Sequence, residues 1–326
     1  MSARIPVGVI GVGALGRHHA RHLAIHPGVQ LIGVYDASPE RAAEIAAQVG
    51  TTAFSDLDAL LGLVQGVSIA APTSFHHALG VQVLARGVGI LMEKPVTVTV
   101  AEADDLIGRA ARAGVPLQVG QIERFNRAVR AALPVVRRPR FIECERLAPF
   151  SLRGSDVSVV LDLMVHDLDL VLHLTGGADA VDLRANGGAL LSTSIDLANA
   201  RIEFSGGTVA SVTASRLSRG RVRRTRIYQD NGYLSLDLSS GTAEFTRLRG
   251  GWLPGQPAQA VDDVVERMAL AAPEADALGL EIGCFVDALA GRPSGGVSGV
   301  EGRAALALAR QVEDAVARAP IVPAAH

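Results

Sequence analysis

The chain has 326 residues, with 31 basic and 33 acidic side chains for a formal net charge of -2, and 48% of its residues are hydrophobic. That length suits about two domains, and that composition excludes wholesale disorder. Near-neutral charge argues against nucleic-acid binding, which draws its affinity from clustered cations. Thirty of the 31 basic residues are Arg and a single one, Lys94, is Lys. Compositional drift explains the arginines but not the exception. A compact ammonium with an adjustable pKa has uses in chemistry that a guanidinium lacks, which makes Lys94 a candidate reactive group.

From the N-terminus, Ile5–Ile10 reads as a buried strand and Ala14–Ile25 as the helix after it. Gln30–Tyr35 is a second strand, and Ser38 and Pro39 are the N-cap and first residue of a helix over Pro39–Val49. Further strands are expected at Thr52–Phe54, Gly66–Ala70, Val88–Met92 and Leu117–Val119, with helices near 56–62, 75–86 and 100–113. Strands alternating with helices at this spacing predict a doubly wound parallel sheet, an α/β Rossmann domain over residues 1–121. Residues 59–85 contain no Asp, Glu, Lys or Arg. Gln65, His76 and Gln82, with Pro72, break up that stretch, so it reads as strand, turn and helix rather than a membrane span.

Beyond residue 120 the rhythm changes. A helix over Arg124–Leu133, a strand near 140–147 and an apolar helix near 157–174 precede strands at 181–190, 195–204, 208–216, 222–229, 232–238 and 242–248. A loop over 247–257 and helices near 274–290 and 299–317 follow. This is an α+β domain with a large open, mostly antiparallel sheet over residues 122–326, whose C-terminal helix is free to pack back on the first domain. Cys144 and Cys284 show no disulfide framework or metal-ligand spacing, which with the lack of a signal-peptide pattern fits the cytoplasm.

Gly11-Val12-Gly13-Ala14-Leu15-Gly16 follows a predicted strand and opens a predicted helix, where glycines permit a tight turn and close approach to a pyrophosphate. The helix N-terminus adds free N–H groups for the phosphates. Asp36 ends the second strand, placed to bind adenosine ribose hydroxyls. It favours NAD, while Arg17, Ser38 and Arg41 leave NADP open. His18, His19 and His22 read as solvent-facing or packing residues, since no catalytic Glu or third ligand completes a zinc helix; no metal is expected.

In the helix near 157–174, Asp162, His166, Asp169 and His173 fall within an arc of roughly 60° at 100° per residue. Two readings stay open: a buried Asp–His ladder joining helices, or a polar wall facing a substrate. Asp162 and His166, one turn apart, would suit proton transfer. Asp167 lies on a different face with a separate role. Six arginines between Arg216 and Arg226 read as decoration of an antiparallel sheet or a subunit contact.

These motifs together resemble the glucose–fructose oxidoreductase / inositol dehydrogenase / rhizopine-catabolism (Gfo/Idh/MocA) family over nearly the whole chain. Gly11–Gly16 with His19 is similar to its GxGxxGxxH start, Pro72–His76 to its P-x-x-x-H loop, Glu93-Lys94-Pro95 to its E-K-P motif and Asp162–His166 to its D-x-x-x-H. The resemblance implies that Ala71, Pro72, His76, Glu93 and Lys94 join the glycine turn in holding the cofactor. It also implies that His166 and Lys94 handle the proton and oxygen of a substrate hydroxyl whose hydride passes to the nicotinamide, with Asp162 orienting the histidine or binding a neighbouring hydroxyl.

Val119–Asn126 (VGQIERFN) is similar to a stretch of members that oxidise the 3-hydroxyl of UDP-N-acetylglucosamine-type sugars, with Gln121 and Arg127 departing from the usual His and Pro. Arg124 and Asn126 are then candidate substrate contacts, Arg124 equally a structural ion pair. The implied function is a dehydrogenase for a sugar, sugar nucleotide or cyclitol. The alternatives are a plain sugar or myo-inositol dehydrogenase, and a non-catalytic NAD(P)-binding regulator. The family's open sheet implies a homodimer or homotetramer.

Overall fold

A computed structural model describes residues 4–151, 157–250, 256–257 and 260–319. The chain forms two compact units, one of residues up to Ile122 with Ala275–Leu306, the other of Glu123–Glu274 with the residues from Ala307 onward.

In the first unit, β1 (Ile5–Ile10), β2 (Val29–Tyr35), β3 (Thr52–Phe54), β4 (Gly66–Ile69), β5 (Gly89–Glu93) and β6 (Leu117–Gly120) form a parallel sheet in the order β3-β2-β1-β4-β5-β6. The connections carry α1 (Gly16–Ile25), α2 (Pro39–Val49), α3 (Leu57–Leu61), α4 (His76–Ala85) and α5 (Val100–Ala113). Local chemistry sets several of their ends. Ser38 Oγ accepts the Arg41 N–H at the start of α2, and Gly50 closes that helix in the left-handed conformation. Thr99 and Glu102 form a reciprocal capping box on α5, satisfying donors that a helix start leaves unpaired.

In the second unit, β7 (Phe141–Leu147), β8 (Ala180–Gly188), β9 (Leu197–Phe204), β10 (Val209–Ser215), β11 (Val222–Gln229), β12 (Gly232–Asp237), β13 (Thr242–Leu248) and β14 (Val265–Leu270) form one sheet, ordered β14-β13-β12-β11-β7-β10-β9-β8. Only the β7–β10 pair is parallel. Helix α6 (Arg127–Ala132) packs on β12 and β13, and α7 (Val165–Leu174) on β7 and β10. Ile142 and Cys144 of β7, Ala210 and Val212 of β10, Ile227 of β11 and Leu234 of β12 are buried, in the alternation of a sheet with one covered face. A short helix, α8 (Val261–Val264), precedes β14.

Several elements differ from expectation. The helix expected over Arg124–Leu133 is a 3₁₀ turn at Ile122–Phe125 and then α6, because Asn126 leaves the helical conformation to cap α6 with its side chain. The helix expected from 157 opens as a wide π turn over Val160–Met164 before α7 begins, and Ser158 Oγ accepts the Val160 N–H at its entry. Strand β14 went unread because Glu266, Arg267, Met268 and Ala269 favour helix. Pairing with β13, reinforced by Arg247–Glu266 at 3.0 Å, overrides that preference. Of the loop expected over 247–257, Arg247 and Leu248 belong to β13, and 251–255 lie outside the described residues.

Residues 275–306, expected in the second domain by chain order, belong to the first unit. Ile282, Phe285 and Val286 of α9 (Ala277–Leu289) share a buried cluster with Val7, Val9 and Leu23. The Val119 N–H donates to the Val297 carbonyl at 2.9 Å, just before α10 (Gly299–Arg318).

Candidate active site

The order of the parallel sheet reverses direction between β1 and β4, where a doubly wound sheet opens a ligand crevice at its carboxyl ends. The first-unit candidates gather there, on the loops after β1, β2, β4 and β5. Gly11 follows β1 with φ +81°, and a Cβ on it would lie 2.9 Å from the Ala70 carbonyl and the Ala71 nitrogen. A Cβ on Gly16 would fall 1.8 Å from the Gly11 carbonyl oxygen, so no other residue lets α1 start against this turn. Above Gly13 there is open space, and Leu15 places no capping side chain on α1. An open, uncapped helix start of this kind suits a pyrophosphate.

Asp36 is nearly buried, its side chain 8% exposed. Its Oδ2 accepts the Val12 N–H at 2.8 Å, and its Oδ1 accepts the Ser38 N–H at 2.9 Å and Arg41 Nη1 at 3.3 Å. The carboxylate thus ties the end of β2 to the glycine turn. Beside it lies a cleft of about 440 Å³ lined by Val12, Gly13, Ala14, Arg17, Arg41 and Glu44, among others. The donor set and the space fit a dinucleotide, with the glycine turn for the phosphates and the cleft beside Asp36 for the adenosine.

After β4, Ala71 and Pro72 lead to a 3₁₀ turn at Thr73–Phe75 and then His76. The His76 ring is fully buried. Its Nε2 lies 2.9 Å from the Ala71 carbonyl and its Nδ1 3.0 Å from the Pro95 carbonyl, so it joins this loop to the turn that carries Lys94. Burial holds its pKa below the ordinary value despite the two carbonyls and the nearby Glu93 charge. Lys94 is half-buried, and its N–H donates to Glu93 Oε2 at 3.2 Å. Burial pushes the Glu93 carboxyl upward, but hydrogen bonds from His19 and the Lys94 N–H, with the Lys94 charge, outweigh it and hold the group below its ordinary value.

In the second unit, Asp162 lies on the π turn and His166 on the first turn of α7, both half-buried. The rest of the expected stripe is engaged with Arg124. That guanidinium makes a bidentate pair with Asp169 (2.7 and 2.7 Å), and its Nη1 lies 3.4 Å from His173 Nδ1. Asn126 is occupied as well. Its Oδ1 caps α6 at the Ala128 N–H, while its Nδ2 donates to Glu123 and to the Leu238 carbonyl.

The separate role read for Asp167 is a buried ion pair. Arg146, on the covered face of β7 and 3% exposed, donates twice to Asp167 (2.7 and 2.8 Å) and once to Glu123 (2.8 Å). Burial works against its charge, but Asp167 and Glu123 prevail and push the guanidinium above its ordinary value. Sequence reading passed over Arg146, and its one available signal was a charged residue at an inward position of an alternating strand. Of the two readings given for His19, solvent-facing or packing, the second holds, and its ring lies between Ser68 and Glu93. Among the arginines of 216–226, Arg216 is buried beside Asp196 (3.7 Å), whereas Arg223, Arg224 and Arg226 lie on β11, Arg226 paired with Glu143.

Among the described residues, no three His, Cys, Asp or Glu side chains are grouped to hold a metal ion, and no helix is long and apolar enough to cross a membrane.

A doubly wound parallel sheet with an uncapped glycine turn and an acid closing its second strand defines a dinucleotide-binding protein. Residues 5–121 match the oxidoreductase family with an NAD-binding Rossmann fold, and residues 136–235 match the GFO/IDH/MocA C-terminal domain. The chain belongs to this family of NAD-dependent enzymes. It is 43% identical over 310 residues to a UDP-N-acetylglucosamine 3-dehydrogenase of Acidithiobacillus ferrooxidans, covering 95% of this chain and 96% of that one. A solved structure of that dehydrogenase superposes with a TM-score of 0.89 over 97% of this chain and 98% of the other, at 42% identity. A myo-inositol dehydrogenase of Streptomyces leeuwenhoekii is 30% identical over 76% of this chain and 82% of its own length.

Proposed function

We propose that this protein oxidises the 3-hydroxyl of a UDP-N-acetylglucosamine-type sugar nucleotide with NAD. The observation that carries the proposal is the 43% identity, over nearly the full length of both chains, to a UDP-N-acetylglucosamine 3-dehydrogenase. The Glu123–Asn126 segment supports it, since the motif shared with such enzymes is held rigidly through Glu123–Arg146, Arg124–Asp169 and the Asn126 cap. Arg127, standing where a Pro is usual, donates instead to the Gly241 and Ser240 carbonyls, so the departure is absorbed by the turn after β12.

NAD supplies a hydride acceptor at the nicotinamide. The glycine turn and α1 bind its phosphates, and Asp36 faces its adenosine ribose. Lys94 donates a hydrogen bond to the reacting oxygen and stabilises the negative charge that develops as its proton leaves. His166 accepts that proton, and Asp162 sets the orientation of the imidazole or holds a neighbouring hydroxyl. Arg124 and Asn126 shape the substrate side of the second unit through the contacts that fix their own segment.

The open face of the eight-stranded sheet supports self-association into a homodimer or homotetramer. It carries Phe141, Tyr228 and Tyr233, the two tyrosines 37% and 36% exposed and stacked at 5.7 Å, beside the Arg226–Glu143 pair. Sedimentation should give a mass above one chain, and Tyr228→Asp should reduce it. The free thiols of Cys144 and Cys284 suit a reducing cytoplasm.

The deciding experiment is absorbance at 340 nm with NAD and UDP-N-acetylglucosamine, alongside free N-acetylglucosamine and myo-inositol. Reduction with the UDP-sugar alone is expected. Reduction with myo-inositol alone would move the assignment to a cyclitol dehydrogenase, the reading its 30% identical relative favours. NAD binding without reduction by any of them would leave a regulator.

A further inference from the structure

His19 lies on the first turn of α1, directly after the glycine turn, and its side chain is 2% exposed. Its Nδ1 is 2.8 Å from Ser68 Oγ on β4, and its Nε2 is 2.9 Å from Glu93 Oε1 at the end of β5. With the ring proton on Nε2, the hydrogen bonds among Ser68, His19, Glu93 and the Lys94 N–H are mutually consistent. The Ser68 hydroxyl donates to Nδ1, the ring donates to Glu93, and the second Glu93 oxygen accepts the Lys94 N–H at 3.2 Å.

Just past the lysine, the Nδ1 of His76 lies 3.0 Å from the Pro95 carbonyl. The residues immediately before and after Lys94 therefore each lie against a buried imidazole. Packing alone would be served by an apolar side chain, without the cost of desolvating an imidazole and a carboxylate. A specific hydrogen-bonded chain instead restricts where the backbone of Lys94 can go.

We propose that His19 is a positioning residue that acts through Glu93. It ties the helix of the phosphate-binding turn to the backbone of Lys94, so that cofactor and lysine are set by one rigid connection. This rests on the reading of Lys94 as the group that binds the reacting oxygen.

Lys94 is the sole lysine, so reductive methylation of the full-length protein with ¹³C-formaldehyde labels only it and the N-terminal amine while keeping the charge. His19→Gln places an amide nitrogen near the position of Nε2 and keeps the donor to Glu93. His19→Asn places one near Nδ1 and keeps only the Ser68 side. We expect His19→Asn to lower kcat with UDP-N-acetylglucosamine about tenfold to a hundredfold, as misplacement of a reacting group does. Its Kd for NADH should stay within about threefold of the parent protein, and the Lys94 resonance and its titration midpoint should move. His19→Gln should restore kcat to within about threefold and return the resonance to its original position.

Like behaviour of Asn and Gln on both readouts would overturn the proposal. So would an unmoved Lys94 resonance in Glu93→Ala, which cuts the connection from its other end should the His19 variants fail to fold. Lys94→Ala separates the two readings. If it leaves turnover unchanged, the role of the lysine is wrong, while the resonance still reports whether His19 sets its surroundings. If it abolishes turnover while His19→Asn matches the parent protein on both readouts, the positioning role alone fails.

Discussion

Replacing Arg146 with Met tests how the second unit holds the segment around Glu123. Met is unbranched and fills most of the volume of the Arg stem but ends two atoms short of the terminal guanidinium nitrogens, so the substitution removes three charge-assisted hydrogen bonds, two to Asp167 and one to Glu123. The two carboxylates then differ. Glu123 keeps Asn126 Nδ2 at 3.0 Å and Arg223 at 3.6 Å, whereas Asp167, 2% exposed, loses both of its side-chain hydrogen bonds. Breaking a buried pair from one side costs about 3–5 kcal/mol, most of it the penalty of the stranded charge. For a unit of this size that is a fall of roughly 10 °C in its melting transition.

The pH dependence of that loss has a definite sign. Burial raises the Asp167 carboxyl and Arg146 is the main group opposing it. Without the guanidinium, Asp167 in the folded variant takes up a proton more readily than in the unfolded chain. The deficit is therefore full at pH values above its folded pKa and shrinks as the pH falls through it. Replacing both residues, Arg146→Met with Asp167→Leu, should recover most of the stability, because no stranded charge is left. Thermal melts by circular dichroism between pH 5 and 8 make the comparison. A single variant that melts within about 2 °C of the parent protein at pH 8, or a deficit that grows on acidification, would refute the reasoning.

Lys94→Ala and His166→Ala should each slow turnover by about a hundredfold or more while NADH affinity, read by fluorescence, changes little; parent-like turnover in both would remove the proposed proton-transfer pair. Gly16→Ala, whose methyl would fall 1.8 Å from the Gly11 carbonyl oxygen, should abolish NADH binding by displacing the turn, and calorimetric titration at parent affinity would contradict that geometry. Asp36→Ala removes the acceptor for the Val12 and Ser38 N–H groups and frees Arg41. It should weaken NAD and narrow the gap to NADP, whose phosphate meets Arg41 without a competing carboxylate; equal losses for both cofactors would place the adenosine elsewhere.

What could be read directly from the chain was whatever neighbouring residues decide among themselves. The glycine turn follows from the conformations that Gly11 and Gly16 alone permit. The start of α2 follows from Ser38 and Pro39, and the parallel sheet from apolar runs alternating with helical periods. The E-K-P and D-x-x-x-H motifs are equally local, and the status of Lys94 as the sole lysine is a property of composition alone.

Tertiary structure decided the rest, because it depended on which distant groups meet in a place without water. The 3₁₀ turn and cap at Asn126 depend on the Leu238 carbonyl, 112 residues away. Strand β14 exists because β13 offers it an edge, against its own helical preference. Residues 275–306 join the first unit because the apolar face of α9 completes the core of β1 and α1. Asp167 needed Arg146, and His19 needed Glu93, 74 residues on. A buried charge or imidazole is stable only beside its partner, and periodicity along a chain says that a residue faces inward without saying what it will find there.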